Sequence, residues 1–146
     1  MANETMRKFG YPDSLIREYE HWVVLLRPAQ VTLGSLVLAA KGDATAFGAL
    51  PPGAHAELAA VTKEIEASLL AEIGYEKINY LMLMMVDPHV HFHVLPRYSG
   101  SKSIAGLDLV DAGWPGQPDL NSAVKLTPED KERLRDRISR SWLIEN

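Results

Sequence analysis

Apolar residues are grouped along the chain with two different periods, and each period predicts a different element. The runs at 21–26 and 34–40 are almost continuously apolar, which is typical of strands that are covered on both faces. From Ala54 to Ile73 the apolar residues recur at helical spacing instead, which predicts one long helix that ends at Gly74. Two buried strands followed by a long amphipathic helix are therefore expected in the first half of the chain.

A second pair of apolar stretches follows this helix and predicts an antiparallel hairpin. Residues 77–85 and 89–95 both favour an extended backbone, and Val86-Asp87-Pro88 between them has the composition of a turn. The four strands and the helix together predict an α+β fold built on an antiparallel sheet.

The two ends of the chain show no such regularity. Residues 1–19 are polar and predict a loosely held arm with a short helix at 15–19, and residues 98–124 predict an irregular loop. Thr127 followed by Pro128 favours the start of a C-terminal helix, because a capping hydroxyl and an early proline are typical of helix N-termini. The apolar face of that helix is thin and consists of Leu134, Ile138 and Leu143.

The length of the chain is compatible with one domain. A chain of 146 residues can bury a self-sufficient hydrophobic core, so no metal or disulfide is needed for stability. We expect a single domain over residues 1–146, with its core at about 20–100 and an irregular loop plus a C-terminal helix over 101–146. The sheet is expected to hold about five strands, with the long helix packed on it.

Charge and cysteine content exclude several functional classes. A formal net charge of -4 provides no basic surface for nucleic acid, so no nucleic-acid partner is expected. Without cysteine there is no thiolate nucleophile and no Cys-rich zinc site. The N-terminal residues mix charges and lack an apolar run, so we expect neither a secretory signal nor a membrane span, and we predict a cytoplasmic protein.

Three of the five histidines occupy alternate positions of the second hairpin strand. On an extended backbone, His89, His91 and His93 lie on one face, about 6.6 Å apart, and can surround one phosphate-sized group. A neutral imidazole is a good nucleophile towards phosphorus near pH 7, and protonated neighbours can donate to phosphate or leaving-group oxygens. This pattern favours group transfer, with the middle histidine flanked by two helpers.

Two other interpretations of the same histidines stay open. His-x-His on a strand is a familiar pair of zinc ligands, but His89 and His93 are too far apart to share an ion with His91, so a further ligand is needed. His21, His55 or Asp87 could supply it. The other interpretation is a strand whose histidines are only solvated or hydrogen-bonded.

The segment His89-Val90-His91-Phe92-His93-Val94-Leu95 resembles the His-x-His-x-His-x-x signature of the histidine triad (HIT) family, in which x is hydrophobic. Pro96-Arg97 extends the match. Lys77-Ile78-Asn79-Tyr80 is similar to the preceding strand in a bacterial, short-loop branch that is diadenosine tetraphosphate hydrolase-like. The order of strands and helix from His21 to Arg97 is also similar to the HIT fold, and Trp114-Pro115-Gly116 is a weaker match.

The resemblance implies a nucleotide hydrolase or nucleotidyl transferase that forms a covalent nucleotidyl-histidine. It implies that His91 is the nucleophile and that His89 and His93 hold or protonate the phosphate and the leaving group. It implies a small nucleotide of the dinucleoside polyphosphate or nucleoside phosphoramidate type as substrate, no metal or organic cofactor, and a homodimer. The alternative is a HIT module that binds nucleotides with weak or no catalysis.

Five further residues are candidates for substrate binding. Asn79, Arg27 and Gln30 could contact ribose or phosphate, Arg97 could bind phosphate, and the hydroxyl of Ser35 could donate a hydrogen bond. Each of them is also an ordinary polar residue at a strand end or in a loop.

The chain departs from the family pattern at three places. Most HIT proteins have a further histidine where this chain has Ser35. The Gly-Gln-Ser/Thr loop before the triad is missing, and Val86-Asp87-Pro88 is a shorter crossing. Met84-Met85 stands where the short-loop branch tends to have Gly-Asn.

Overall fold

The computed structural model describes residues 2–145 of the chain, with side chains up to Trp142, so the predicted apolar contact of Leu143 lies outside the described residues. The elements follow one another as α1 (Glu4–Lys8), β1 (Leu15–Glu18), β2 (Trp22–Leu26), β3 (Ala29–Gln30), β4 (Leu36–Ala40), α2 (Pro52–Ile73), β5 (Lys77–Leu81), β6 (His91–Arg97), β7 (Ser101–Ile104), β8 (Leu107–Val110), β9 (Val124–Lys125) and α3 (Pro128–Glu145).

A five-stranded antiparallel sheet forms the centre of the fold. Its strand order is β1-β2-β4-β6-β5, so β6, which carries two of the histidines, lies between β4 and the edge strand β5. The long helix α2 packs on one face of this sheet through Val61, Ile65 and Leu69, none of which is exposed to solvent. The predicted α+β fold, with one long helix on a sheet of about five strands, is confirmed.

Local sequence signals explain why these elements form where they do. Every residue of β2 and β4 is buried, as expected from their continuous apolar runs. The helix α2 ends at Gly74, whose φ of 64° is a left-handed conformation that glycine adopts without strain. Thr127 caps α3, because its Oγ1 accepts a hydrogen bond from the Asp130 amide at 3.1 Å. No helix in the described range is long and apolar enough to cross a membrane.

The N-terminal segment is packed against the sheet, so the prediction of a loosely held arm was wrong. The helix α1 buries Met6 at 1% exposure, and Asn3 both caps the helix and donates from Nδ2 to the carbonyl of Ala40 at the end of β4. The predicted short helix at 15–19 is the strand β1 instead. A helix of five residues and a strand of four are too short to show a period, and their conformation depends on the sheet beside them.

The region after the histidine strand was also predicted incorrectly in part. Residues 98–124 contain the hairpin β7–β8, whose turn places Gly106 at a φ of 81°. The hydrophobic core extends beyond the expected 20–100, since Ile16, Ile104 and Trp142 all belong to it. Alternating polar residues conceal this hairpin in the sequence, because only every second side chain reaches the core.

The histidine hairpin is shorter than predicted. The strand β5 ends at Leu81 rather than at residue 85, and β6 begins at His91, so His89 precedes the strand. The backbone N–H of His89 donates to Thr5 Oγ1 at 3.3 Å, and that of Val90 donates to the Ala44 carbonyl at 3.3 Å. These amide groups bind other parts of the chain, which is why β6 does not extend further towards its N-terminus.

Candidate functional site

Alternation along β6 places His91 and His93 on one face of the sheet and Phe92 and Val94 on the other. Phe92 and Val94 contact the core beneath α2, whereas the two histidines lie on the side covered by α1. Their rings are in edge contact, with centroids 5.2 Å apart. His91 and His93 therefore share one face of the strand, as the alternation predicted.

His91 has its ring proton fixed by the backbone. Its Nδ1 lies 2.7 Å from the carbonyl oxygen of His89, and because a carbonyl oxygen can only accept, Nδ1 must carry the proton. In the neutral imidazole, Nε2 then has a free lone pair. The side chain is only 2% exposed, so this lone pair is held in one direction within a packed environment.

His93 is held in the opposite tautomer. Arg27 Nε donates to its Nδ1 at 3.3 Å, so the ring proton must be on Nε2. Burial, together with the positive charge of Arg27 and the neighbouring His91, lowers the pKa of His93 to about 4, while Asp87 acts in the other direction. At neutral pH this residue is therefore an uncharged hydrogen-bond donor, which differs from the protonated helper expected from the sequence.

His89 is only partly buried, and its ring contacts α1. Its Nδ1 lies 3.0 Å from Thr5 Oγ1. Phe9, the residue directly after this helix, contacts the other two histidines, and its ring centroid is 5.6 Å from that of His91 and 5.7 Å from that of His93. Thr5 and Phe9 were missed by the sequence interpretation, because no motif marks a contact between residues more than 80 positions apart.

Gln30 ends the short strand β3, Ser35 lies in the turn before β4, and neither residue is exposed. Gln30 Oε1 accepts from the Gly34 amide at 2.8 Å, and its Nε2 donates to the carbonyl of Arg27 at 2.7 Å. Ser35 Oγ donates to the Thr32 carbonyl at 2.7 Å. Both residues stabilise the loop that carries Arg27, and their polar atoms face backbone groups instead of open space.

Arg97 is also buried, and its guanidinium connects the sheet to the C-terminal loop. It donates from Nε to Asp111 Oδ2 at 2.7 Å, from Nη2 to the Gly116 carbonyl at 2.9 Å, and from Nη1 to Asn79 Oδ1 at 2.8 Å. The last bond fixes the Asn79 amide, so that Nδ2 points away from Arg97. Asp111, which no sequence motif marks, is therefore the anchor of this cluster.

Asn79 lines an open groove of about 380 Å³ along the edge strand β5. Lys77 and Leu81 from β5 and Trp114 from the C-terminal loop line the same groove. Leu81 pairs with His93 in the sheet, so the groove begins beside the histidines. Of the five predicted substrate-binding residues, Arg27 lies at the histidines, and Asn79 and Arg97 line this groove.

The residues considered for a zinc site are separated in the fold. His21 is paired with Glu20 at 3.4 Å, and the ring of His55 packs against Phe47 with centroids 5.0 Å apart. Asp87 is 2.8 Å from Lys8 Nζ in an ion pair. Among the side chains that the structure describes, residues 2–142, no three His, Cys, Asp or Glu are grouped so that they could hold a metal ion.

Acidification is expected to destabilise the fold through His93. Its pKa is about 4 in the folded chain, and an unfolded chain has the ordinary value of about 6.5. Between these values the unfolded chain binds a proton that the folded chain does not, so the free energy of unfolding decreases as the pH falls. We expect a loss of about 2 kcal/mol between pH 7 and pH 4 from this group, after allowance for solvent screening.

Chemical denaturation of the parent protein and of the His93→Gln variant across this pH range measures the effect. Glutamine keeps an acceptor for Arg27 but does not titrate, so carboxylate contributions cancel in the difference between the two proteins. The variant should lose the part of the pH dependence that lies between pH 6.5 and pH 4. Parallel stability curves for the two proteins would contradict the assignment.

Comparison with known proteins identifies the fold. No protein-family model and no curated protein matches the sequence. The structure matches a histidine triad protein from Sinorhizobium meliloti 1021 with a TM-score of 0.74 and 23% identity, over 97% of this chain and 96% of that chain. A histidine triad protein from Marinobacter aquaeolei VT8 gives a TM-score of 0.75 with 18% identity, over 99% and 96% of the two chains.

A third match is a hypothetical histidine triad nucleotide-binding protein from Sulfolobus tokodaii, with a TM-score of 0.69 and 20% identity over 90% of this chain and 84% of that chain. The chain therefore has the fold of histidine triad proteins, as the resemblance implied. The five-stranded antiparallel sheet and the helices of this chain match the fold of these neighbours.

Proposed function

We propose that this protein is a nucleotide hydrolase or nucleotidyl transferase that acts at a nucleoside phosphoryl group through a covalent intermediate on His91. The observation that carries the proposal is the His91 ring, whose Nδ1–H is bound by the His89 carbonyl at 2.7 Å. This bond leaves Nε2 unprotonated in the neutral ring, as a nucleophile requires. The fold, which is shared with histidine triad proteins, supports the same conclusion.

In the first chemical step the Nε2 lone pair of His91 attacks the phosphorus atom. A nitrogen–phosphorus bond forms, and the bond from phosphorus to the leaving group breaks with its electron pair on the departing oxygen or nitrogen. The ring becomes positively charged because Nδ1 keeps its proton, and the His89 carbonyl oxygen stabilises that charge. The leaving group takes up a proton from solvent or from a neighbouring acid.

In the second step a water molecule, or another acceptor, attacks the same phosphorus atom. An oxygen–phosphorus bond forms, the nitrogen–phosphorus bond breaks, and the lone pair returns to His91 Nε2. The proton of the attacking water leaves to solvent or to a neighbouring base. The protein is regenerated with its original tautomer, because the His89 carbonyl still holds the proton on Nδ1.

Two residues near His91 stabilise the negative charge on the phosphoryl oxygens. His93 presents Nε2–H as a neutral donor, and Arg27 supplies a positive charge next to it. Burial lowers the pKa of Arg27 from its ordinary value, but an arginine remains charged at neutral pH. Phe9 covers both histidine rings and keeps water away from one side of them, which strengthens these interactions.

The proposed substrate is a small nucleotide of the dinucleoside polyphosphate or nucleoside phosphoramidate type. We place the protein in the short-loop, diadenosine tetraphosphate hydrolase-like branch of the HIT family on the residues Lys77-Ile78-Asn79-Tyr80. The proposal further comprises a cytoplasmic homodimer that uses neither a metal nor an organic cofactor. Nucleic acid is not proposed as a partner, given the net charge of -4.

The direct test is to trap the intermediate. The protein is mixed with adenosine phosphoramidate and with dinucleoside polyphosphates, quenched in base, and analysed by intact mass and peptide mapping for a nucleotidyl group on His91. Thermal shift with nucleoside monophosphates measures binding independently, because a ligand that binds only the folded state raises its stability. Binding without adduct or turnover would contradict the enzymatic proposal and favour a nucleotide-binding module.

A further inference from the structure

The hydroxyl of Thr5 makes two contacts with the first histidine of the triad. Its Oγ1 accepts the backbone N–H of His89 at 3.3 Å and lies 3.0 Å from the Nδ1 of the same residue. Thr5 is only 1% exposed. A buried hydroxyl from the N-terminal helix therefore binds both the backbone and the ring of a histidine that follows it by 84 positions.

These two contacts determine which ring nitrogen of His89 carries the proton. Because the backbone N–H can only donate, it uses one lone pair of Thr5 Oγ1. The hydroxyl proton then has one acceptor within the described part of the chain, which is His89 Nδ1. Donation to Nδ1 requires the neutral ring to carry its own proton on Nε2, whereas the opposite tautomer would leave the buried hydroxyl proton without an acceptor.

The helix that carries Thr5 is fixed on both sides of it. Before Thr5, Asn3 donates from Nδ2 to the carbonyls of Ala40 and Gly42 at 3.0 and 2.9 Å. After it, Lys8 forms an ion pair with Asp87, two residues before His89, at 2.8 Å. The position of Thr5 relative to His89 is therefore set by contacts at both ends of α1.

We propose that Thr5 is a positioning residue that holds His89 as an Nε2–H donor for the reaction at His91. The three histidines then alternate as donor, nucleophile and donor, since Nε2 carries a proton in His89 and His93 but not in His91. His93, whose ring contacts that of His91, then supplies one N–H donor for the phosphoryl and leaving-group oxygens, and our proposal assigns the second to His89. The catalytic part of this inference depends on the function proposed above, whereas the tautomer itself does not.

The tautomer can be measured without any substrate. Nitrogen-15 NMR of protein labelled in its histidines reports which nitrogen of each ring carries the proton, and the His89 signals are assigned with a His89→Asn variant. The parent protein should show Nε2–H for His89 and Nδ1–H for His91. In Thr5→Val, which removes the hydroxyl at nearly constant volume, the His89 signals should shift towards a mixture of tautomers, while those of His91 stay unchanged.

Kinetics test whether the tautomer matters for the reaction. Thr5→Val should lower kcat by about two- to tenfold, the loss expected from one hydrogen bond, and Thr5→Ser should restore it. In a His89→Asn background, Thr5→Val should not lower kcat any further, because a residue that acts through His89 has no effect on the reaction once His89 is removed. Glu4→Gln, an exposed change in the same helix, is the control and should match the parent protein.

Each outcome decides for or against the inference. An unchanged His89 tautomer in Thr5→Val overturns it, even if His91 is the nucleophile. A changed tautomer with unchanged kcat, or an equal loss in the parent and His89→Asn backgrounds, overturns the positioning role. Turnover that does not depend on His91 would instead overturn the proposed function, and the NMR result would still decide the tautomer. Thermal unfolding of each variant shows whether a loss of activity comes from an unstable fold or from a His89 ring that is no longer held in place.

Discussion

Replacing His91 by asparagine is expected to reduce turnover of nucleotide substrates by at least about 10³-fold, since a nucleophile that forms a covalent intermediate cannot be replaced by its neighbours. Asparagine keeps an N–H group that can donate to the His89 carbonyl, so the buried acceptor there is not left unpaired. The nucleotidyl adduct should disappear together with activity. Steady-state hydrolysis and intact mass after a base quench measure both effects.

If His91 is the nucleophile, its replacement should abolish turnover but leave nucleotide binding intact, whereas a structural role would affect both. His91→Asn should bind nucleoside monophosphates within a few-fold of the parent protein, because one side chain is changed while Arg27 and His93 remain. His55→Ala is the matched control, as His55 is an exposed histidine that contacts Phe47 and should leave turnover unchanged. Turnover of His91→Asn near the parent rate would show that another group attacks phosphorus.

Replacing Asp111 by alanine is expected to destabilise the fold by about 3 to 5 kcal/mol, because it leaves the guanidinium of Arg97 buried without its counter-charge. The two side chains are only 4% and 1% exposed, and Asp111 also accepts the backbone amides of Tyr98 and Gly113. Chemical denaturation should show a lower midpoint. The change should also release the C-terminal loop that Arg97 holds through Gly116.

Two comparison variants test whether burial is the cause. Arg133 forms an ion pair with Asp130 at 2.6 Å but is 62% exposed, so Arg133→Ala should cost less than about 1 kcal/mol. The double variant Arg97→Met with Asp111→Leu removes both charges and should recover part of the stability that Asp111→Ala loses. If the Asp111→Ala and Arg133→Ala losses are equal, the buried pair has no special role in stability.

The elements with long, regular patterns could be predicted from the sequence. The apolar runs of β2 and β4, the helical spacing of α2 and the cap at Thr127 are patterns that can be recognised within one continuous stretch of the chain. Short elements could not be predicted in the same way. The helix α1 has too few residues for a period and is held at the end of β4 through Asn3, and in the short hairpin β7–β8 only Ile104 and Leu109 are buried in the core.

In the candidate site, too, the features that depend on local alternation could be predicted, and those that depend on distant contacts could not. Alternation places His91 and His93 on one face of a strand, and the sequence shows this directly. His89 was expected on that strand as well, but its backbone amide binds Thr5 and the strand starts two residues later. Gln30 and Ser35 were expected at the substrate, but their polar atoms are used by the loop around them.

By itself, the sequence determined the fold class and the segment that carries the histidines, because backbone periodicity and side-chain chemistry are local properties. The role of His91 as nucleophile, which the family resemblance implies, stays a prediction. Only the tertiary structure decided which nitrogen of each imidazole ring carries the proton. The His89 carbonyl, Arg27 and Thr5 assign the protons of His91, His93 and His89, and two of these partners are distant in sequence. A hydrogen bond depends on distance and direction in space, so folding alone brings those partners into place.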